Sequence, residues 1–191
     1  MKIFFFGGTF DPPHKGHECI VNHLLPLCDK FIVFPAGLSP SKSDLPLADI
    51  NHRINMLKIL FNNKKITIDD FDLNKNRINY TYLTISYLKK KYKNSSLSMI
   101  IGKDQLINFH HWKNYKLINK NVDIICFNRE IEELSKEQNL LNYDINFIKE
   151  FNINVSSSEI RSNFYNSKYD SMLHAINPKI MKYIKDNNLY V

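Results

Sequence analysis

Short apolar runs recur along the chain, separated by stretches in which apolar positions return every three or four residues. Lys2–Phe6 is the first run, followed by Lys30–Pro35, Lys65–Asp70, Ser98–Ile101, Val122–Phe127 and Asn146–Phe151. Runs of this length read as buried strands. Between them, Ile20, Val21, Leu24, Leu25 and Leu27 form one helix face, and Ile50, Ile54, Leu57 and Leu60 a second. Leu83, Tyr87 and Leu88 form a third, and Ile131, Leu134 and Gln138 continue a more polar fourth. Strands alternating with helices predict an α/β fold: a Rossmann-like, doubly wound parallel sheet with helices on both faces. Right-handed crossovers put the C-terminal ends of the strands on one edge, where open sheets of this kind bind ligands. Gly7, Pro35 and Gly102 each follow a strand, so the pattern predicts that they meet on that edge.

The C-terminal segment reads as helical. Ser156 with Glu159 three residues later has the form of a capping box. Pro178 stands where a first helical turn tolerates proline, ahead of Ile180, Tyr183 and Ile184. Repeats, low-complexity linkers and composition breaks are absent from the sequence, so one domain is expected over residues 1–191.

Composition narrows the class. Hydrophobic residues make up 43% and aromatics 13%, too much for a disordered chain, and 191 residues suffice for one well-buried core. No apolar run approaches membrane-spanning length, and the opening Ile3-Phe4-Phe5-Phe6-Gly7-Gly8 is too short for a signal peptide. Cys19, Cys28 and Cys126 form no Cys-x-x-Cys pair and read as buried, reduced thiols. A cytoplasmic protein with no membrane partner is the expectation. The formal charge of +7 raises the question of nucleic acid. Much of the excess lies in lysine-asparagine stretches such as Lys89–Asn94, and neither an aromatic–basic sheet motif nor a recognition helix accompanies it. The charge therefore suits collection of small anions better than binding of nucleic acid.

The chemistry is concentrated where the first strand meets the first helix, in Gly7-Gly8-Thr9-Phe10-Asp11-Pro12-Pro13-His14-Lys15-Gly16-His17. A strand running into a glycine turn and then a helix offers open backbone N–H groups and the positive end of a helix dipole. Two imidazoles three residues apart lie on one side of that first turn. Such an arrangement suits phosphate. Zinc is the rival, through His14, His17 and His23, but no cysteine or carboxylate completes a set at ligand spacing.

Gly8-Thr9-Phe10-Asp11-Pro12 followed by His14-x-Gly16-His17 resembles the signature of the His-x-Gly-His nucleotidyltransferase superfamily, in the form of the bacterial-type nicotinate-nucleotide adenylyltransferases. Further blocks resemble that family in order and spacing: Pro35 with Ser39-Pro40-Ser41-Lys42, His52-Arg53-x-x-Met56-Leu57, Asn79-Tyr80-Thr81-x-x-Thr84, Gly102-Lys103-Asp104 with Phe109 and Trp112, and Val155–Arg161. Ser41 stands where the family usually has His, Asn79 where it has Ser, and Leu83 where it has Asp, while Lys75 or Arg77 must serve for an upstream Arg.

The resemblance implies transfer of an adenylyl group from ATP to nicotinate mononucleotide, with magnesium accompanying ATP. It implies catalytic roles for His14, His17 and Arg161. ATP would be held by Gly8, Thr9, Phe10, His14, His17, Lys42, Gly102, Asp104, Ser157, Ile160 and Arg161, and the mononucleotide by Tyr80, Thr81, Thr84, Trp112 and Arg129. The alternatives are another transferase of the superfamily, acting on pantetheine phosphate or with CTP on an alcohol phosphate, and a nucleotide-binding module without catalysis. A homo-oligomer is compatible with the sequence.

Overall fold

The computed structural model describes residues 1–37, 45–73, 80–127, 145–148 and 155–191. Its centre is a six-stranded, all-parallel sheet built from β1 (Lys2–Gly8), β2 (Lys30–Pro35), β3 (Ile66–Ile68), β4 (Ser96–Gly102), β5 (Asp123–Phe127) and β6 (Ile145–Ile148), in the order β3-β2-β1-β4-β5-β6. Among the described residues, seven α-helices flank it: α1 (Lys15–Leu24), α2 (Ile50–Leu60), α3 (Thr81–Lys91), α4 (Lys103–Ile107), α5 (Tyr115–Asn121), α6 (Ser157–Tyr165) and α7 (Pro178–Asp186). The doubly wound sheet expected from the alternation is the fold observed.

Both sheet faces are covered, which is why the strands read as unbroken apolar runs. Phe4, Phe6, Phe31, Val33, Ile100, Ile125 and Phe127 point to one side and pack with residues of α1, α2, α6 and α7. Their neighbours Ile3, Phe5, Ile32, Phe34, Leu97, Met99, Ile101, Ile124 and Cys126 point to the other and pack with α3, α4 and α5.

Several local expectations shift. The apolar face expected to reach Leu27 ends with α1 at Leu24, because Pro26 lacks the N–H an α-helix needs; Leu25–Leu27 turn as a 3-10 helix and Leu27 is 54% exposed. The run Lys65–Asp70 shrinks to the three residues of β3, closed off where the Asp69 side chain accepts from the N–H of Phe71. On α2 the buried positions are Arg53, Met56, Leu57 and Leu60, with Ile50 and Ile54 only partly covered. On α3 they are Thr84, Ile85 and Leu88, while Tyr87 stays partly open to hydrogen-bond Asp69 at 2.9 Å. Cys28 and Cys126 are buried as expected but Cys19 is only half-buried; all three are free thiols. Ile131, Leu134 and Gln138 lie outside the described residues.

At the C-terminal end, the Ser156 hydroxyl accepts from the N–H of Glu159, and Asn177 caps α7 ahead of Pro178. Ile180 and Ile184 are buried, and α7 meets α2 through Tyr183, whose hydroxyl bonds His52 and Asn55. No described helix is long and apolar enough to cross a membrane.

Candidate active site

The chain builds the sheet outward from β1 to β3, then crosses back to β4 and builds outward the other way. Strand order therefore reverses between β1 and β4, where open α/β sheets leave a crevice beyond their C-terminal ends. Phe6 pairs with Ile100, and each strand runs two residues further, to Gly8 and Gly102. A side chain at Gly7 or Gly102 would meet nothing within 4 Å, so these ends border open space. Gly8 differs: a Cβ there would lie 2.9 Å from the tip of the Phe10 ring. Phe10 has φ of 52°, costly for a bulky residue. Its ring is buried edge-on against Phe6 and His17, at 5.5 and 4.9 Å between centroids, which offsets the strain.

The turn after β1 is held by side chains from distant parts of the chain. Arg53 of α2 sends Nη1 to the carbonyls of Thr9 and Ala36, each at 2.7 Å. Arg161 of α6 donates through Nη1 to the Asp11 carbonyl at 2.7 Å and through Nη2 to Ser158, while the Ser157 hydroxyl donates to the Pro12 carbonyl at 2.9 Å. Three loop carbonyls that would repel an anion are thereby engaged by protein donors. The Asp11 side chain is buried and accepts from the N–H groups of Leu47 and Ala48 and from the Tyr190 hydroxyl. Burial pushes the Arg53 guanidinium down from its ordinary pKa, with the Asp11 carboxylate opposing that shift.

His14 is the N-cap of α1, and the two imidazoles take the places of a capping box. The backbone N–H of His14 donates to His17 Nδ1 at 3.1 Å, while the His14 ring turns its own Nδ1 toward the N–H of His17 without closing a full hydrogen bond. An Nδ1 that accepts must leave the proton on Nε2, so His17 is fixed as an Nε2–H donor. The rings stack with centroids 3.7 Å apart. Burial lowers the His14 pKa to about 4, so this ring is neutral near pH 7. The helix start is less open than the sequence suggests, since the N–H of Lys15 is taken by the Ala175 carbonyl at 2.9 Å.

Across the reversal the residues stand further apart in the chain. Gly102 caps α4, and Asp104 is exposed in its first turn. Trp112 is half-buried, set edge-on to Phe109 at 5.5 Å. Tyr80 caps α3, with Thr81 opening the helix; the Tyr80 ring stacks on Tyr82, and Lys113 Nζ lies 4.6 Å from its centroid.

Two expected ligands have other observed partners. Thr84 is buried and donates to the Asp72 carboxylate at 2.8 Å, tying α3 to the turn at Phe71–Leu73. Ile160 is a core residue whose N–H is bonded to the Ser156 carbonyl. Lys42 and Arg129, with Ser41, Lys75, Arg77 and Asn79, lie outside the described residues. His23 lies beside Phe127 near the far end of α1, and the described residues contain no group of three or more His, Cys, Asp or Glu that could hold a metal ion. Sequence reasoning assigned no role to Asp11, Arg53 or Tyr190. The first two sit inside the quoted motif blocks, whereas Tyr190 has no local signal.

A parallel sheet in this order, with an imidazole-lined corner at its reversal, defines a nucleotide-binding α/β protein of the Rossmann-like class. Residues 5–163 match the profile of the cytidylyltransferase-like family. A protein of Borrelia garinii subsp. bavariensis, named probable nicotinate-nucleotide adenylyltransferase, is 40% identical over 194 residues, covering 100% of this chain and 95% of the relative. One of the same name from Fusobacterium nucleatum subsp. nucleatum is 35% identical over 191 residues, covering 97% of each. Among solved structures, the nicotinic acid mononucleotide adenylyltransferase of Plasmodium falciparum complexed with NaAD superposes with a TM-score of 0.81 at 22% identity, covering 99% of this chain and 97% of the other. The same enzyme complexed with APC gives 0.79 at 23% identity, covering 99% and 96%. The chain belongs to the cytidylyltransferase-like family, on its nicotinate-nucleotide adenylyltransferase branch.

Proposed function

We propose that this protein transfers the adenylyl group of ATP to nicotinate mononucleotide, forming deamido-NAD and pyrophosphate in NAD biosynthesis. An oxygen of the acceptor's 5′-phosphate attacks the α-phosphorus of ATP. The bond from that phosphorus to the bridging oxygen breaks, and pyrophosphate leaves with the electron pair. The attacking oxygen is already anionic, so the reaction needs positioning and charge stabilisation rather than a base. The observation that carries the reading is the bond from the His14 N–H to His17 Nδ1, which aims a fixed Nε2–H donor from the start of α1. Choice of acceptor is supported by the names of relatives that span the whole chain.

In this reading His17 Nε2–H serves the α-phosphate in the transition state and His14 the neighbouring phosphate oxygens. Gly8, Thr9 and Phe10 meet the nucleotide through their backbone. Arg161 and Lys42 hold the triphosphate and then pyrophosphate, Arg161 using guanidinium N–H groups beyond those given to Asp11 and Ser158. Asp104 accepts from ribose hydroxyls beside Gly102. Ser157 and Ile160 set α6 against the loop. Trp112 stacks on the nicotinate ring, with Tyr80, Thr81 and Arg129 around it and Thr84 bracing that wall from behind. Magnesium arrives with ATP as part of the substrate. The loop carboxylate, Asp11, is already committed to protein donors, which fits an ion held by phosphate oxygens and water.

The test compares pyrophosphate release with nicotinate and nicotinamide mononucleotides at saturating ATP. A substrate carboxylate adds one charge-assisted hydrogen bond, worth about 1.5–3 kcal/mol, so kcat/KM should favour the acid by roughly one to two decades. Equal values overturn the acceptor assignment. Turnover only with pantetheine phosphate or with CTP overturns the reaction.

A further inference from the structure

Tyr190 lies 179 positions from Asp11 in the chain, yet its hydroxyl donates to Asp11 Oδ1 at 2.6 Å. That length is typical of a hydroxyl on an ionised carboxylate. The ring packs beside Phe164, 6.3 Å between centroids. Burial, with the Asp11 charge adding to it, pushes the phenol well above its ordinary range, so it remains a donor. Tyr190 has φ of 63°, a conformation a tyrosine holds only where its surroundings over-determine it. The chain reaches it by a tight turn past α7, closed by the bond from the Leu189 N–H to the Ile184 carbonyl.

The target of this bond matters. Asp11 Oδ1 has two donors, Tyr190 and the N–H of Ala48 at 3.1 Å, and Oδ2 accepts from the N–H of Leu47 at 2.8 Å. The same carboxylate therefore ties the loop after β1 to the segment entering α2, from which Arg53 returns to hold Thr9. Three residues beyond Asp11 begins the interlock of His14 and His17.

We infer that Tyr190 is a positioning residue for adenylyl transfer: through Asp11 it sets the loop that places His14 and His17, without touching substrate. This rests on the proposed reaction. Removing the hydroxyl leaves a buried carboxylate oxygen with one longer bond, free to re-seat and drag the loop with it. Misplacement of donors by a fraction of an ångström lowers the chemical step more than it lowers binding of the remote acceptor.

Tyr190→Phe keeps the ring and removes only the bond. Measured with ATP and nicotinate mononucleotide, kcat should fall about five- to twenty-fold while the acceptor KM stays within twofold and the melting temperature within a few degrees. Calorimetric binding of α,β-methylene-ATP, which needs no turnover, should weaken several-fold. In an Asp11→Ala background, which removes the bond's acceptor, the added Tyr190→Phe change should alter kcat less than twofold. A folded Tyr190→Phe protein with wild-type kcat and wild-type analogue binding overturns the inference, as does a fully additive double variant. Failure of the parent reading looks different: the wild-type protein itself releases no pyrophosphate with nicotinate mononucleotide.

Discussion

In the loop after β1, the carbonyls of Thr9, Asp11 and Pro12 are held by Arg53, Arg161 and Ser157. At the end of the neighbouring strand, Gly102 borders open space and Asp104 is exposed. The two regions face the same crevice and are built on different rules. Phosphoryl chemistry rewards fixed dipoles, since donors that need no reorganisation stabilise charge as it develops. The loop after β1 is braced from two helices, α2 and α6, and carries interlocked imidazoles. The opposite wall presents the rings of Tyr80 and Trp112 and the exposed Asp104, groups that in the proposed reaction would recognise by stacking and single hydrogen bonds and so tolerate a looser frame. Thr84 belongs to the frame of that wall: its hydroxyl goes to Asp72, tying α3 to the turn at Phe71–Leu73.

The sharpest attack on this contrast is His17→Ala. Loss of one transition-state donor should lower kcat about 10²–10³-fold. The acceptor KM should change little if the two walls act separately. The His17 ring also fills space against Phe10 and His14, so some loss of stability accompanies the change. A kcat within a few-fold of wild type sinks the assignment of His17 as the donor.

Next in size is Arg161→Gln, expected to reduce kcat/KM for ATP about ten- to a hundred-fold with a smaller effect on the acceptor. Arg161 holds the Asp11 carbonyl, and in the proposed reaction its remaining N–H groups would also meet the triphosphate. Lys at this position should rescue only in part, because a point charge cannot fork between the loop and a phosphate. Equal damage to both substrates' KM would mean that Arg161 only anchors α6, and the distinction between the walls would fall with it.

What was legible in the sequence follows from where each interaction is local. The sheet was readable because both its faces are covered, so each strand is an apolar run bounded by turns. The histidine corner was readable because its geometry is set within one helical turn. Arg53 was not: one arginine on an apolar helix face reads as a solvated residue, whereas here it is buried and bonded to two carbonyls. Tyr190 was beyond reach, since no periodicity connects residues 179 positions apart. Leu27 failed for a local reason, the proline before it. Ile160 proved to be a core residue, a placement the motif block alone does not signal.

The smallest expected effect separates the two imidazoles by charge. With its pKa lowered to about 4 by burial, His14 stays neutral in the folded protein while the unfolded chain takes up a proton near the ordinary value of 6.5. Between those values the unfolded state binds more protons, so stability should be complete above about pH 6.5 and decline as pH falls toward 4. The slope reaches at most about 1.4 kcal/mol per pH unit from this group, and carboxylates add their own dependence at the acid end. His14→Gln removes the imidazole, so the difference between wild-type and variant unfolding free energies isolates its share. Urea unfolding at pH 7, 6, 5 and 4.5 should show that difference shifting steadily against the wild type below pH 6.5. Parallel curves would mean that folding leaves the His14 pKa where it stands in the unfolded chain; a difference shifting in favour of the wild type as pH falls would mean that folding raises it and that His14 works as a cation toward phosphate. Its buried place beside His17 would then owe its stability to a charge, and the neutral, directional donor corner that sets this wall apart from the other would be lost.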